Sequence, residues 1–353
     1  VDNLMSDLMT PVSLVEGSSV RVRVPASSAN IGPGFDAIGL ALGIWDECDV
    51  SVTAEPGLRL DIEGEGADEL PRNELNLVHQ SMMRAWQELH VQAPAGLHVR
   101  CRNAVPHCRG LGSSATSIVA GILAAQGLAD IAAARDSNRG SQANRGSLAN
   151  QGDRTTEDTA DTVDGTFDGA FDRVFTNNLA AAVEGHPDNS SASVFGGMTL
   201  SWTDDIVAGL IHSIPLEVHP DVIPLVFLPA AKLSTASARA VLPAQIPHAV
   251  AAMNSARAAL LIEAVTRRPE VLLAATREWL HQEQRRPAFP ASMAFLDELR
   301  AKGHAAVISG AGPSVLVLTT PDHLQEACAS GDPAVWRVLQ PGIPVTGASL
   351  QRL

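Results

Sequence analysis

No run of apolar residues approaches the roughly 18 that a membrane-crossing helix needs, so composition gives no membrane span. The opening residues, VDNLMSDLMTPVSLVEG, carry acids and lack the basic start and apolar centre of an export signal. A cytoplasmic location is therefore expected. Cysteine is scarce: Cys48, Cys101, Cys108 and Cys328 form no C-x-x-C pair and no zinc-like spacing with histidine. They read as buried or incidental thiols of a reducing compartment. Basic residues are also short, 25 Lys and Arg against 39 Asp and Glu, a formal net charge of −14. That balance works against nucleic acid or an anionic membrane as a partner.

What is present suits an ordinary globular protein. Hydrophobic residues make up 45% and charged residues 18%. A length of 353 residues implies two domains, or one with an insertion. Strand patterns at Ser19–Val24, DECDVSVTAE, LRLDIEGEG and GLHVRCRNAV are mixed with a helical pattern in NLVHQSMMRAWQELH and an Ala-rich helix from Ala115 to Ala134. The polar stretch 135–169 is nearly free of aliphatic residues and is expected to be a disordered insertion between two helices. FDRVFTNNLAAAVEG reads as helix, HPDNSSAS as a polar loop and IPLVFLP as a buried strand. Further helices are expected near 249–264, 269–284 and 292–302, then strand, glycine turn and strand in HAAVISGAGPSVLVLT. Composition turns to loop near 203–216, which sets a division into residues 1–205 and 206–353.

The segment VRCRNAVPHCRG carries Arg100, Arg102 and Arg109 with no acid among them. This basic island in an acidic chain suggests an anionic ligand, though a solvated strand edge explains it as well. It leads into RGLGSSAT. Gly110 and Gly112 permit positive φ and leave the backbone bare. Ser113 and Ser114 then stand where a helix begins, with free N–H groups and the positive end of its dipole. Phosphate is the natural occupant. A Walker loop would need Lys where Ser113 stands. The dinucleotide fingerprint is met formally by Gly110, Gly112 and Ala115, but it lacks a strand leading directly into it and a second strand beyond. A serine-capped glycine turn without a ligand is the plain alternative.

The pattern P-x-x-x-G-L-G-S-S-A is complete in Pro106, Gly110, Leu111, Gly112, Ser113, Ser114 and Ala115. With VPASSANIGPGFDAIGLAL near the start and ISGAGPSVLVL near the end, the chain resembles the GHMP kinases. VPASSANIGPGFD, EGHPDN and STASARAVLP are most similar to the homoserine-phosphorylating branch. WLHQEQR matches that branch's L-H-Q-P-Y-R, except that Glu283 and Gln284 replace Pro and Tyr.

The resemblance implies a two-domain α+β fold, a ribosomal-protein-like N-terminal α/β domain followed by a ferredoxin-like C-terminal domain, and a homodimer. It implies ATP-dependent phosphorylation of the side-chain hydroxyl of L-homoserine, a step of threonine biosynthesis, with ATP and Mg²⁺. The nucleotide would be held by Pro106, Arg109, Gly110, Leu111, Gly112, Ser113, Ser114, Ala115 and Thr116, and the metal by Ser114 and Glu184. Asn30, Asp36, His186, Thr235, Arg239 and Arg285 would bind substrate, with Asn189, Asp188 and Arg239 at the reacting groups. A zwitterionic substrate needs such a set: an acid, Asp36, for its ammonium, and guanidinium groups, Arg239 and Arg285, for its carboxylate. Asp36 as a turn acid and the arginines as solvated helix residues are the competing explanations. Asp188 is the acid nearest to serving as a general base. Another GHMP small-molecule kinase, or a non-catalytic binding protein of this fold, is the alternative function.

Overall fold

The computed structural model describes residues 12–146, 171–233 and 235–353. Strands β1 (Val12–Ser13), β2 (Ser19–Ala29), β3 (Ile38–Val52) and β4 (Gly57–Gly64) precede helix α1 (Leu77–Glu88). Strands β5 (Val91–Gln92) and β6 (Gly96–Asn103) lead to the long α2 (Ser113–Gly146). Then come α3 (Arg173–Glu184), α4 (Asp188–Phe195) and the hairpin of β7 (Met198–Thr203) and β8 (Ile211–Leu216).

Alternation in β2 decides its two faces. Val20, Val22 and Val24 are buried in a core shared with α1 and α2. Arg21 and Arg23 point the other way and pair with Asp49 and Glu47 of β3. Arg102 joins the same ladder through Asp49 and Glu47. Of the expected basic island, then, Arg102 is neutralised across the outer sheet face. A bulge between Pro25 and Ala26 shifts the β2–β3 register. Beyond it Ala26, Ile38, Leu40 and Leu42 join a second core.

The second half comprises β9 (Ile223–Pro229), α5 (Thr235–Ala240), α6 (His248–Thr266), α7 (Leu272–Ala275), α8 (Gln282–Arg285) and α9 (Pro290–Ala301). It continues through β10 (Ala305–Ile308), β11 (Val315–Thr319), α10 (Leu324–Ala329), β12 (Trp336–Leu339) and β13 (Ser349–Arg352). Its antiparallel sheet has the order β10-β11-β9-β12, with helical crossovers after β9 and β11. That is the ferredoxin-like arrangement, within an α+β molecule as expected. One face packs on the second core, and the other forms a third around Phe227, Phe295 and Trp336.

Four expectations are corrected. The division at 205/206 falls inside the β7–β8 hairpin, and β13 returns to pair with β2, so the first sheet takes strands from both halves of the chain. Arg135 to Gly146, the start of the expected disordered insertion, continues α2, while 147–170 lie outside the described residues. HPDNSSAS holds the helix α4, whose serines are buried because they find hydrogen-bond partners: Ser193 Oγ donates to Pro25 O, and Ser191 Oγ pairs with Thr199 Oγ1. The single helix expected over 269–284 is broken into a 3₁₀ turn, α7, an open stretch and α8.

Among the described residues, two helices reach membrane-spanning length and hydropathy, Ser113–Arg135 and His248–Thr266. The first is mostly buried in the protein, and Leu261, Ala264 and Val265 of the second lie in the second core.

Candidate active site

The glycine loop adopts the conformation that its sequence permits. Gly110 and Gly112 have φ of 72° and 69°, a region costly for residues with a Cβ. A Cβ on Gly110 would lie 2.1 Å from Ser309 O, and one on Gly112 would lie 2.1 Å from Ser27 Oγ. The loop is thus wedged between β2 and the C-terminal glycine turn. Ser309 Oγ bonds Gly110 O (2.6 Å), and Ser314 Oγ bonds Arg109 O (2.6 Å). The second glycine motif therefore supports the first.

At the head of α2, Thr116 N–H is the first amide bonded back along the chain, to Gly112 O at 2.9 Å. Among the described residues, the amides of Ser113, Ser114 and Ala115 have no hydrogen-bond partner. These are the orphan donors of a helix start, arranged for an anion. Ser114 Oγ donates to Glu184 Oε1 at 2.7 Å. The other carboxylate oxygen, Oε2, is shut off from solvent and has no partner. Burial pushes the Glu184 carboxyl up to about 7, against the opposing effects of His186 and Ser114.

The substrate side is built on the turn after β2. Asn30 and Asp36 have positive φ, 71° and 55°. Asn30 Nδ2 bonds Gly310 O and its Oδ1 accepts Asp36 N–H, so this side chain shapes the turn and is already committed. Asp36 forms a two-pronged ion pair with Arg239 (2.7 and 2.9 Å). The expected partners of a zwitterion here hold one another. Arg285, only 2% exposed, bonds Ala238 O through Nε, and His281 Nδ1 and Gly310 O through Nη1. Burial, then the Arg239 charge, lowers its proton affinity. Its Nη2 makes no hydrogen bond among the described residues, and Phe35 lies beneath both guanidinium groups.

Between the two halves stands EGHPDN. His186 Nδ1 bonds Asp188 Oδ1 at 2.7 Å, and the same oxygen accepts Asn189 N–H at 2.8 Å. Burial pulls His186 down, but the Asp188 bond and the charges of Asp188 and Glu184 outweigh it, and the net direction is up. Asn189 Oδ1 accepts from Ser27 Oγ at 3.0 Å, and its Nδ2 makes no hydrogen bond among the described residues. Asp36, Arg239, Arg285, His186, Asn189 and Ser114 all line one cavity of about 50 Å³.

The side chains of other expected residues make contacts within the protein. Arg109 gives its guanidinium to Pro229 O and Ala230 O and so buttresses the loop. Thr116 Oγ1 bonds buried Asp46 and Ser113 O. Pro106, Leu111 and Ala115 are buried and shape the loop. Thr235 opens α5, but its side chain lies outside the described residues. Sequence reasoning passed over Ser27, Phe35 and His281, although each stood inside a quoted motif.

The N-terminal domain model of the GHMP kinases matches residues 76–151, and their C-terminal model matches 256–335. The mevalonate diphosphate decarboxylase of Enterococcus faecalis shares the fold, with a TM-score of 0.61 at 14% identity, covering 95% of this chain and 99% of that one. The fold and the glycine cradle thus define a GHMP kinase. Homoserine kinase of Streptomyces avermitilis is 46% identical over 301 residues, covering 85% of this chain and 86% of that one. The Streptomyces coelicolor enzyme of the same name is 43% identical and covers 94% of each. A homoserine kinase structure from Cytophaga hutchinsonii superposes with a TM-score of 0.72 at 22% identity, over 99% of this chain and 100% of that one. The chain belongs to the homoserine kinases of the GHMP family.

Proposed function

We propose that the protein transfers the γ-phosphoryl group of ATP to the side-chain hydroxyl of L-homoserine, giving O-phospho-L-homoserine and ADP. One observation carries this reading: an acid and two guanidinium groups share a cavity with the unpaired amides heading α2. A neutral substrate would have no use for that acid and those guanidinium groups together. The phosphates would lie against the Ser113, Ser114 and Ala115 amides and the helix dipole. The substrate ammonium would face Asp36, and its carboxylate would face Arg239 and the free edge of Arg285. Asn189 Nδ2 would donate to the reacting hydroxyl or to a γ-oxygen.

Phosphoryl transfer forms little bond to the nucleophile early, so positioning and charge neutralisation matter more than a strong base. The hydroxyl proton leaves late, to a phosphoryl oxygen or water. Asp188, with Oδ1 engaged twice, serves as the holder of His186 and Asn189. Ser114 and Glu184 fit Mg²⁺, the unpartnered Oε2 being the reason. When bound, the ion neutralises charge on the phosphate oxygens. We place the enzyme in the cytoplasm as a homodimer, for which the family resemblance is the support. ADP release assayed with homoserine, mevalonate, galactose and shikimate, with and without Mg²⁺, tests the reading. Metal-dependent release with homoserine alone is expected, and release with another alcohol in its place would overturn it.

A further inference from the structure

Arg285 faces the substrate from a buried position without a carboxylate bonded to it, so something else must fix it. Glu278, seven positions earlier, has a side chain only 1% exposed and, among the described residues, makes no hydrogen bond or ion pair with Arg285, although its charge is felt there. Its Oε2 accepts the amides of Leu280 (2.6 Å) and His281 (2.9 Å), and its Oε1 accepts that of Gln282 (2.8 Å). We propose that Glu278 is a positioning residue for recognition of the substrate carboxylate, acting on Arg285 through His281. The inference rests on the homoserine reading and extends its binding site one layer outward.

A guanidinium only donates, so His281 Nδ1 must accept from Arg285 Nη1 (3.1 Å). The hydrogen then sits on Nε2 and is donated to Gly32 O at 2.9 Å. Burial keeps the ring neutral, with its proton affinity lowered. Glu278 Oε2 lies 3.7 Å from the same Nε2, where its charge favours that tautomer. The ring stacks on Phe35, with centroids 5.3 Å apart. Glu278 thus sets the backbone from which His281 rises, and His281 sets both the guanidinium and the Gly32 turn leading to Asp36. Arg285 Nε carries the connection on to Ala238, the neighbour of Arg239.

The test is steady-state kinetics on wild type, Glu278→Gln, Arg285→Lys and the double variant, with KM measured for each substrate. Losing one acceptor to backbone donors should raise the homoserine KM about tenfold in Glu278→Gln. Its kcat and MgATP KM should stay within about twofold of wild type. The double variant should lie within about twofold of Arg285→Lys alone, because the effect of Glu278 is spent through Arg285. A structural cap would instead lower Tm and kcat and multiply with Arg285→Lys, and that result overturns the inference. Should Glu278→Gln fail to fold, Glu278→Asp keeps the charge. It should raise the homoserine KM about threefold with the same coupling, and an unmoved KM overturns the inference. Wild type lacking homoserine-dependent ADP release overturns the functional reading and this inference together. Wild-type turnover with an unmoved KM in Glu278→Gln overturns the inference alone.

Discussion

Asp188 engages both His186 and the Asn189 amide through one oxygen, a geometry suited to holding neighbours. Asparagine keeps an acceptor in the same place. Asp188→Asn should therefore retain kcat within about tenfold, whereas losing a general base costs about 10²–10⁴-fold. Turnover falling by the larger factor with homoserine binding intact would restore a base role. Asp36→Ala should mainly raise the homoserine KM, by about tenfold or more, because a charge-assisted partner is lost. Unchanged KM with lowered kcat would place Asp36 elsewhere in the cycle. Glu184 makes a pH prediction. Its folded carboxyl titrates at about 7, above its ordinary range, so the folded state favours the protonated form. Stability from this group declines as pH rises from the ordinary carboxylate range through about 7. A metal needs the ionised form and offsets that loss. The Mg²⁺ requirement for MgATP turnover should be greater at pH 6 than at pH 8 in wild type, and Glu184→Gln should abolish the difference. A wild-type requirement that does not change with pH would contradict the metal assignment.

Among the elements, α4 shows most clearly what could and could not be read from the chain. It lies so close to β3 that a Cβ on Gly39 would sit 1.8 Å from Asp188 O. Gly39→Ala should push α4 and Asn189 outward, destabilising the fold by about 1–3 kcal/mol and lowering kcat. Thermal melting together with kinetics checks this, and full activity at wild-type Tm would deny the close approach. HPDNSSAS read as a loop because its serines are polar. Their burial depends on Pro25 and Thr199, partners far away or unassigned in a local window. The break at Thr276–His281 was hidden for a related reason. Helical periodicity persists there, but Glu278 accepts the amides that a continuous helix would have bonded to carbonyls. Glycine loops fared better, since Gly110 and Gly112 announce positive φ by composition alone. Side-chain contacts within them were not legible: Arg109 and Thr116 bond Pro229, Ala230 and Asp46, partners far away in the chain.

For the whole molecule, the active cavity lies where the two halves meet, with Ser309 and Ser314 bonded to the glycine loop across that junction. The return of β13 to the first sheet was not legible in the chain, because strand pairing over such a separation leaves no local mark. About 50 Å³ holds a few waters rather than an amino acid. On the proposed reading, homoserine would part Asp36 from Arg239 and take one charge from each. The most direct measurement is a crystal structure with a magnesium complex of a non-hydrolysable ATP analogue and homoserine. The expected result places the phosphates on the amides of Ser113, Ser114 and Ala115, with Asp36 on the ammonium and Arg239 and Arg285 on the carboxylate. Phosphates bound elsewhere, or an Asp36–Arg239 pair still closed beside bound homoserine, would contradict it.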